Sequence, residues 1–82
     1  MDLKDQRARN RIVRRIVLIR GGILGDHKSV GDGIVEFRID EGPGYRLYFT
    51  RRGATILILL CGGDKSSQRH DILRAKALAQ AV

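Results

Sequence analysis

The chain has no tryptophan, one proline, one cysteine, two tyrosines and two phenylalanines in 82 residues. With so few rings, a core has to be built from Ile, Leu, Val and Ala. The lone Cys61 excludes an internal disulfide and fits a reducing compartment. No apolar run approaches the roughly 20 residues that a membrane-spanning helix needs. The opening stretch, MDLKDQRARN, is charged throughout, so it reads as neither signal peptide nor anchor. A cytoplasmic protein is expected. One Cys and two distant histidines, His27 and His70, cannot supply a zinc site, and no Walker loop, GxGxxG or Ser–His–Asp pattern occurs. Neither a metal nor a cofactor is expected.

What the chain has is positive charge: 16 Lys and Arg against 9 Asp and Glu, a net of +7. Residues 1–20 hold seven of the cations against two Asp, a net of +5. An Arg-rich excess concentrated on one element favours a polyanionic partner: nucleic acid, a ribosome or an acidic protein. The alternative is a solvated basic helix without a partner. The apolar share of 43% is that of a globular chain, and the length makes one domain, 1–82.

Residues 4–20 read as an amphipathic helix. Ala8, Ile12, Ile16 and Ile19 recur at helical spacing, Val13 and Val17 widen the stripe, and Arg7, Arg11, Arg14 and Arg15 lie towards the other side. Gly21-Gly22 stops it, and residues 23–33 read as a loop. Three strands follow. Val35, Phe37 and Ile39 alternate with Glu36, Arg38 and Asp40; after a Glu41–Gly44 turn, Tyr45, Leu47 and Phe49 alternate with Arg46, Tyr48 and Thr50. The run ATILILLC is apolar almost throughout and is expected as a central strand covered on both faces. Gly62-Gly63-Asp64 turns the chain into a closing helix over about 66–81, capped by Asp64 or Ser66, with Ile72, Ala75, Leu78, Ala79 and Val82 inward. The expected class is α+β: an N-terminal basic helix, an antiparallel three-stranded meander and a C-terminal helix, with the helices on one sheet face. Such a sheet is thin for independent stability.

Alternation sets Arg38 and Arg46 on neighbouring strands, on the face away from Val35, Phe37 and Ile39. Lys65 arrives at the mouth of the last helix, whose N–H groups favour anions. Together they make a phosphate cradle able to stabilise the charge that develops in phosphodiester cleavage. Tyr48, on the same face, could stack a base. His70 could serve as general acid or base. The plainer alternative pairs Arg38 with Glu36 or Asp40 and leaves Arg46 as strand-surface charge.

The succession GDHKSVGDGIVEFRIDEGPGYRLYF, then ILLCGGDKSSQRHDILRAKAL, strongly resembles the RelE/ParE-type toxins. The nearest branch is the HigB-like group of addiction-module killer proteins, and the helix LKDQRARNRIVRRI resembles that group's second helix. The resemblance implies a compact RNase that enters the ribosomal A site and cuts mRNA without metal, with the RNA 2′-hydroxyl as nucleophile. The family arginine of the GYR motif falls on Arg46, the basic residue of the preceding strand on Arg38, and the one after the last strand on Lys65. Where better-studied members carry a Tyr or His for proton transfer, this chain has His70 and Asp71. Arg7, Arg11, Arg14, Arg15 and Lys28, with Tyr48, would contact RNA or ribosome. The opening strand and helix of a typical member are absent. The expectation is therefore an N-terminally truncated RelE-like microbial RNase fold, marginally stable without its partner, with the lost strand pairing with the sheet. The implied partners are a helix-turn-helix antitoxin, mRNA on the ribosome, and operator DNA through the antitoxin complex. Two alternatives share the fold: a ParE-like DNA gyrase poison, and an inactive truncated toxin that only binds antitoxin.

Overall fold

In a computed structural model of the chain, which describes residues 4–54 and 56–82 and for Ile56 the backbone alone, two helices sandwich one antiparallel sheet. The elements are α1 (Gln6–Arg20), β1 (His27–Ser29), β2 (Ile34–Ile39), β3 (Tyr45–Arg52), β4 (Ile56–Asp64), a 3-10 turn (Lys65–Ser67) and α2 (Gln68–Ala79). The strands lie in sequence order, β1-β2-β3-β4. The expected strand 54–61 includes Thr55 and the family-like helix starts at Leu3; both residues lie outside the described residues.

The α+β class and the alternation of the two middle strands are as the sequence predicts. The packing around them differs in three ways. The loop 23–33 contains β1, whose three residues are all exposed and pair with β2 through the backbone, Lys28 opposite Glu36. With no apolar alternation, such an edge strand leaves no hydrophobic signal. The helices cover opposite faces. Ala8, Ile12 and Ile19 of α1 pack on Phe37, Ile39, Tyr45, Leu47 and Phe49, while Ala75 of α2 packs on Ile34 and Tyr48 on the other side. Finally, β4 is an edge strand, not a central one. It pairs only with β3, and Leu59 is 46% exposed. An unbroken apolar run reports burial on two faces but not the number of strand neighbours.

Asp5 starts α1 by accepting the Arg7 N–H, and at the other end the Gly21 N–H reaches the carbonyls of Val17 and Leu18. Ala8, Ile12 and Ile19 are buried, but Val13 and Val17 are each 60% exposed, so the apolar stripe is narrower than its sequence. In the core beneath, Phe37 meets Phe49 edge-on at a centroid distance of 5.1 Å, an arrangement aromatic quadrupoles favour.

A β-bulge between Tyr48 and Phe49 shapes β4: Tyr48 pairs with Cys61 but Phe49 with Leu59, so Leu60 is supernumerary. On one side of the bulge Leu57 packs towards α1; on the other, Leu60 and Cys61 pack towards α2. Gly63 then comes so close to α2 that a Cβ there would lie 1.8 Å from Asp71 Oδ2 and 2.8 Å from Ser67 Oγ. Asp71 is buried and takes a hydrogen bond from the Ser67 hydroxyl. Gly63→Ala should therefore cost about 2 kcal/mol or more, as overpacking does, seen as a lower urea midpoint. An unchanged midpoint would show that α2 can back away from the sheet.

Candidate functional site

The backbone register puts Arg38 directly opposite Arg46. Both project on the α2 side of the sheet, near its open end. Lys65 stands in the 3-10 turn that follows β4, beside Gly44 of the β2–β3 turn. The three cations line one pocket of about 250 Å³, together with Asp26, Ile39, Asp40 and Gly44. The predicted convergence is therefore present, and two carboxylates join it. Alternation already put Asp40 on the face of Arg38, but it could not reveal Asp26, which precedes β1 in the loop.

Beneath the pocket sits Glu36, fully buried. Its Oε1 lies 3.3 Å from Arg38 Nε and 3.8 Å from Arg46 Nε, and its Oε2 accepts from Gln68 Nε2 at 2.7 Å. The pairing of Arg38 with Glu36, weighed as an alternative to a phosphate cradle, is thus real, and it coexists with the pocket. Burial pushes the Glu36 carboxyl up. The hydrogen bonds from Gln68 and Arg38, the neighbouring Tyr48 hydroxyl and the Arg46 charge together outweigh that, so it sits below its ordinary value. The Arg46 side chain is only 13% exposed and its Nε has no hydrogen-bond partner among the described residues. A buried donor left so is costly, and such groups concentrate at functional sites.

Three of the candidate residues singled out in the sequence do not line the pocket. Tyr48 is on the predicted face but fully buried under α2, so its ring cannot stack a base. Burial, then the Glu36 charge, push its phenol well above its ordinary value, so it stays protonated. Arg15 turns inward. It donates from Nε to the Leu24 carbonyl at 3.1 Å, from Nη1 to Arg38 at 2.8 Å and from Nη2 to Asp26 at 2.7 Å. With those bonds made it ties α1 to the two segments that carry the pocket, and Gly25, at φ +66°, leaves room for the guanidinium. His70 is exposed on α2 and does not line the pocket, because Asp71 and Ala75 are the residues that turn inward there. Asp64 Oδ1 accepts the Ser66 N–H at 2.9 Å and so caps the 3-10 turn, while α2 starts at Gln68 without a side-chain cap. Arg7, Arg11, Arg14 and Lys28 are exposed, as expected of contact residues.

The profile of the phage-derived Gp49-like proteins (DUF891) matches residues 3–81. The chain belongs to the Gp49-like family. It is a RelE/HigB-like toxin family, which agrees with the resemblance carried by the GPGYR hairpin and the GGDK turn, and it makes an antitoxin the expected protein partner. A Haemophilus influenzae protein (strain ATCC 51907 / DSM 11121 / KW20 / Rd), described as an uncharacterized protein, is 55% identical over 80 residues, spanning 98% of this chain and 81% of its own length. No solved structure matches the chain. Among the described residues of this Gp49-like chain, no helix is long and apolar enough to cross a membrane, and no group of His, Cys, Asp and Glu could hold a metal ion.

Two outcomes follow. Arg15→Lys keeps the charge but not the three-way fork, and should lower stability by about 2 kcal/mol, read from chemical unfolding; equal stability would show the carbonyl contacts to be incidental. Because the Glu36 carboxyl is held below its ordinary value, its contribution is complete above about pH 5 and is lost as pH falls through the lowered value. Glu36→Gln should therefore flatten the acid side of the stability–pH curve. A mutant curve parallel to that of the parent would place the acid-sensitive group elsewhere.

Proposed function

We propose that this protein is the toxin of a type II toxin–antitoxin pair and acts as an mRNA endonuclease on translating ribosomes, in the HigB-like branch of the superfamily. The observation that carries this reading is the gathering of Arg38, Arg46 and Lys65 around one pocket at the end of the sheet. The pocket has the dimensions of a phosphate with part of its nucleotide, and mixes cations with the carboxylates of Asp26 and Asp40.

That mixture suits cleavage of RNA by its own 2′-hydroxyl. The 2′-oxygen attacks phosphorus, its proton passes to a carboxylate of the pocket, and the bond to the 5′-oxygen breaks. The products are a 2′,3′-cyclic phosphate and a 5′-hydroxyl, the latter formed when the leaving oxygen takes up a proton. Negative charge builds on the phosphoryl oxygens in between. Guanidiniums placed over Glu36 stabilise that charge by N–H donation and positive charge without having to reorganise. Lys65, exposed and mobile in rotamer, can follow the leaving oxygen. Asp26 and Asp40 are the nearer candidates for proton transfer, since His70 lies outside the pocket. A helix-turn-helix antitoxin, and operator DNA bound through it, complete the proposal.

Lys65 is the clean variant, because it is exposed and outside the Glu36 network. Lys65→Ala should fold normally and lower ribosome-dependent mRNA cleavage about 100-fold, the usual effect of losing one charge-stabilising donor. Mapping of mRNA 5′ ends after induced expression reads it. Arg46→Ala should abolish growth inhibition, but it also strips Glu36 of a partner, so it is paired with Arg46→Gln/Glu36→Gln to separate chemistry from stability. Full toxicity in Lys65→Ala, or inhibition of gyrase supercoiling with intact mRNA, would overturn the reading.

A further inference from the structure

The pocket and the charge of this protein are in different places. Arg38, Arg46 and Lys65 are countered by Asp26 and Asp40 on the pocket wall and by Glu36 beneath it, so the site is close to neutral. The excess lies on residues 1–20, which net +5 of the chain's +7. A polyanion attracted to the molecule must be held mainly by α1. Remote contacts of that kind are what a chemically modest site needs, because they bind substrate outside the reacting bond.

On α1, Arg7, Arg11 and Arg14 fall at i, i+4 and i+7 and share one face. At a rise of about 1.5 Å per residue they are about 6 Å and about 4.5 Å apart along the axis, the order of spacing of successive phosphates on an extended strand. All three side chains are exposed. Arg7 and Arg14 have no ion-pair partner among the described residues, and Arg11 has only a loose contact with Glu41 at 3.6 Å. One groove of about 410 Å³ is lined by Arg7, Asn10, Arg11 and Arg14. A second, of about 400 Å³, takes in Arg11 and Arg14 and reaches Ile39 and Asp40. Those two residues also wall the pocket of Arg38, Arg46 and Lys65. Neighbouring hollows therefore share lining residues, Arg11 and Arg14 between the first two and Ile39 and Asp40 between the second and the pocket.

We propose that Arg7, Arg11 and Arg14 form a phosphate track for the same strand whose scissile phosphodiester enters the pocket, so that the ligand is single-stranded RNA several nucleotides long. This rests on the nuclease reading for the identity of the reacting bond, and extends it to the substrate's flank. The ligand has to be single-stranded. The track begins beside α1 on one face of the sheet and ends at Arg38 and Arg46 on the other, rounding the sheet's end at Ile39 and Asp40. A duplex, with a persistence length of about 50 nm, does not turn so sharply.

The test uses 2′-O-methyl RNA strands, which bind but cannot be cut, of three and nine nucleotides. Affinity is measured over a range of salt for the parent chain and for Arg7→Gln/Arg14→Gln, whose side chains stand clear of the core. The double variant should bind the nine-nucleotide strand about tenfold more weakly, with a salt dependence shallower by about 1.4, from two lost phosphate contacts at about 0.7 each. It should bind the three-nucleotide strand, which only fills the pocket, like the parent. Equal losses for both lengths, no loss for either, or equally tight and equally Arg-dependent binding of an RNA duplex would overturn the track. Mapped cleavage on ribosomes keeps the two proposals separate. A length-dependent arginine effect without cleavage sinks the nuclease and leaves the track, whereas cleavage without that effect does the reverse.

Discussion

A carboxylate taken out of water has to be met by positive charge and hydrogen-bond donors, and in this protein Glu36 is that carboxylate. Meeting it draws on β2 for Arg38, β3 for Arg46 and α2 for Gln68. Three elements are thereby locked at one point under the sheet's open end. Arg38 is held through its Nε, Arg46 lies with its Nε 3.8 Å from the same oxygen, and both residues line the pocket. The buried acid is thus the foundation of the pocket's arginine pair, although it never meets solvent.

A second tie works from the opposite face. Arg15 closes the gap between α1 and the two backbone segments around Asp26 and Arg38. Since its acceptors are carbonyls, the clamp places no acid beside the helix, and the remaining arginines of α1 keep most of their charge for solvent. One basic helix therefore does two different jobs, split by the rotation of its side chains about the axis.

How much of this was readable beforehand depends on what each signal measures. Alternation in IVEFRI and YRLYF placed Arg38, Arg46 and Tyr48 on one face, and the register confirms it. The same alternation could not say that α2 covers part of that face, so Tyr48 and Glu36 looked exposed and are buried. Arg14 and Arg15 are identical to any count of charge, yet one step of about 100° separates a free cation from a clamp. β1 went unseen because its three residues carry no apolar alternation; the His27 ring stacked on Phe37 at 5.5 Å leaves no such pattern. In β4 the apolar run spoke for full burial, but at the sheet's edge Leu57, Ile58, Leu60 and Cys61 are only half-buried and Leu59 is exposed. Lys65 reaches the pocket from the turn after β4, whereas His70, on the exposed side of α2, lies outside it.

The bulge at Leu60 makes the parity of the residue count in β4 matter. Before it, odd-numbered side chains look towards α1; after it, Cys61 and Gly63 look towards α2. Because Leu60 is the extra residue, Leu60 and Cys61 both pack towards α2, and Gly63, two positions on, faces the same way and admits Asp71. The short stretch from Leu60 to Lys65 is thus a fixed measure between the bulge and the pocket at the sheet's end.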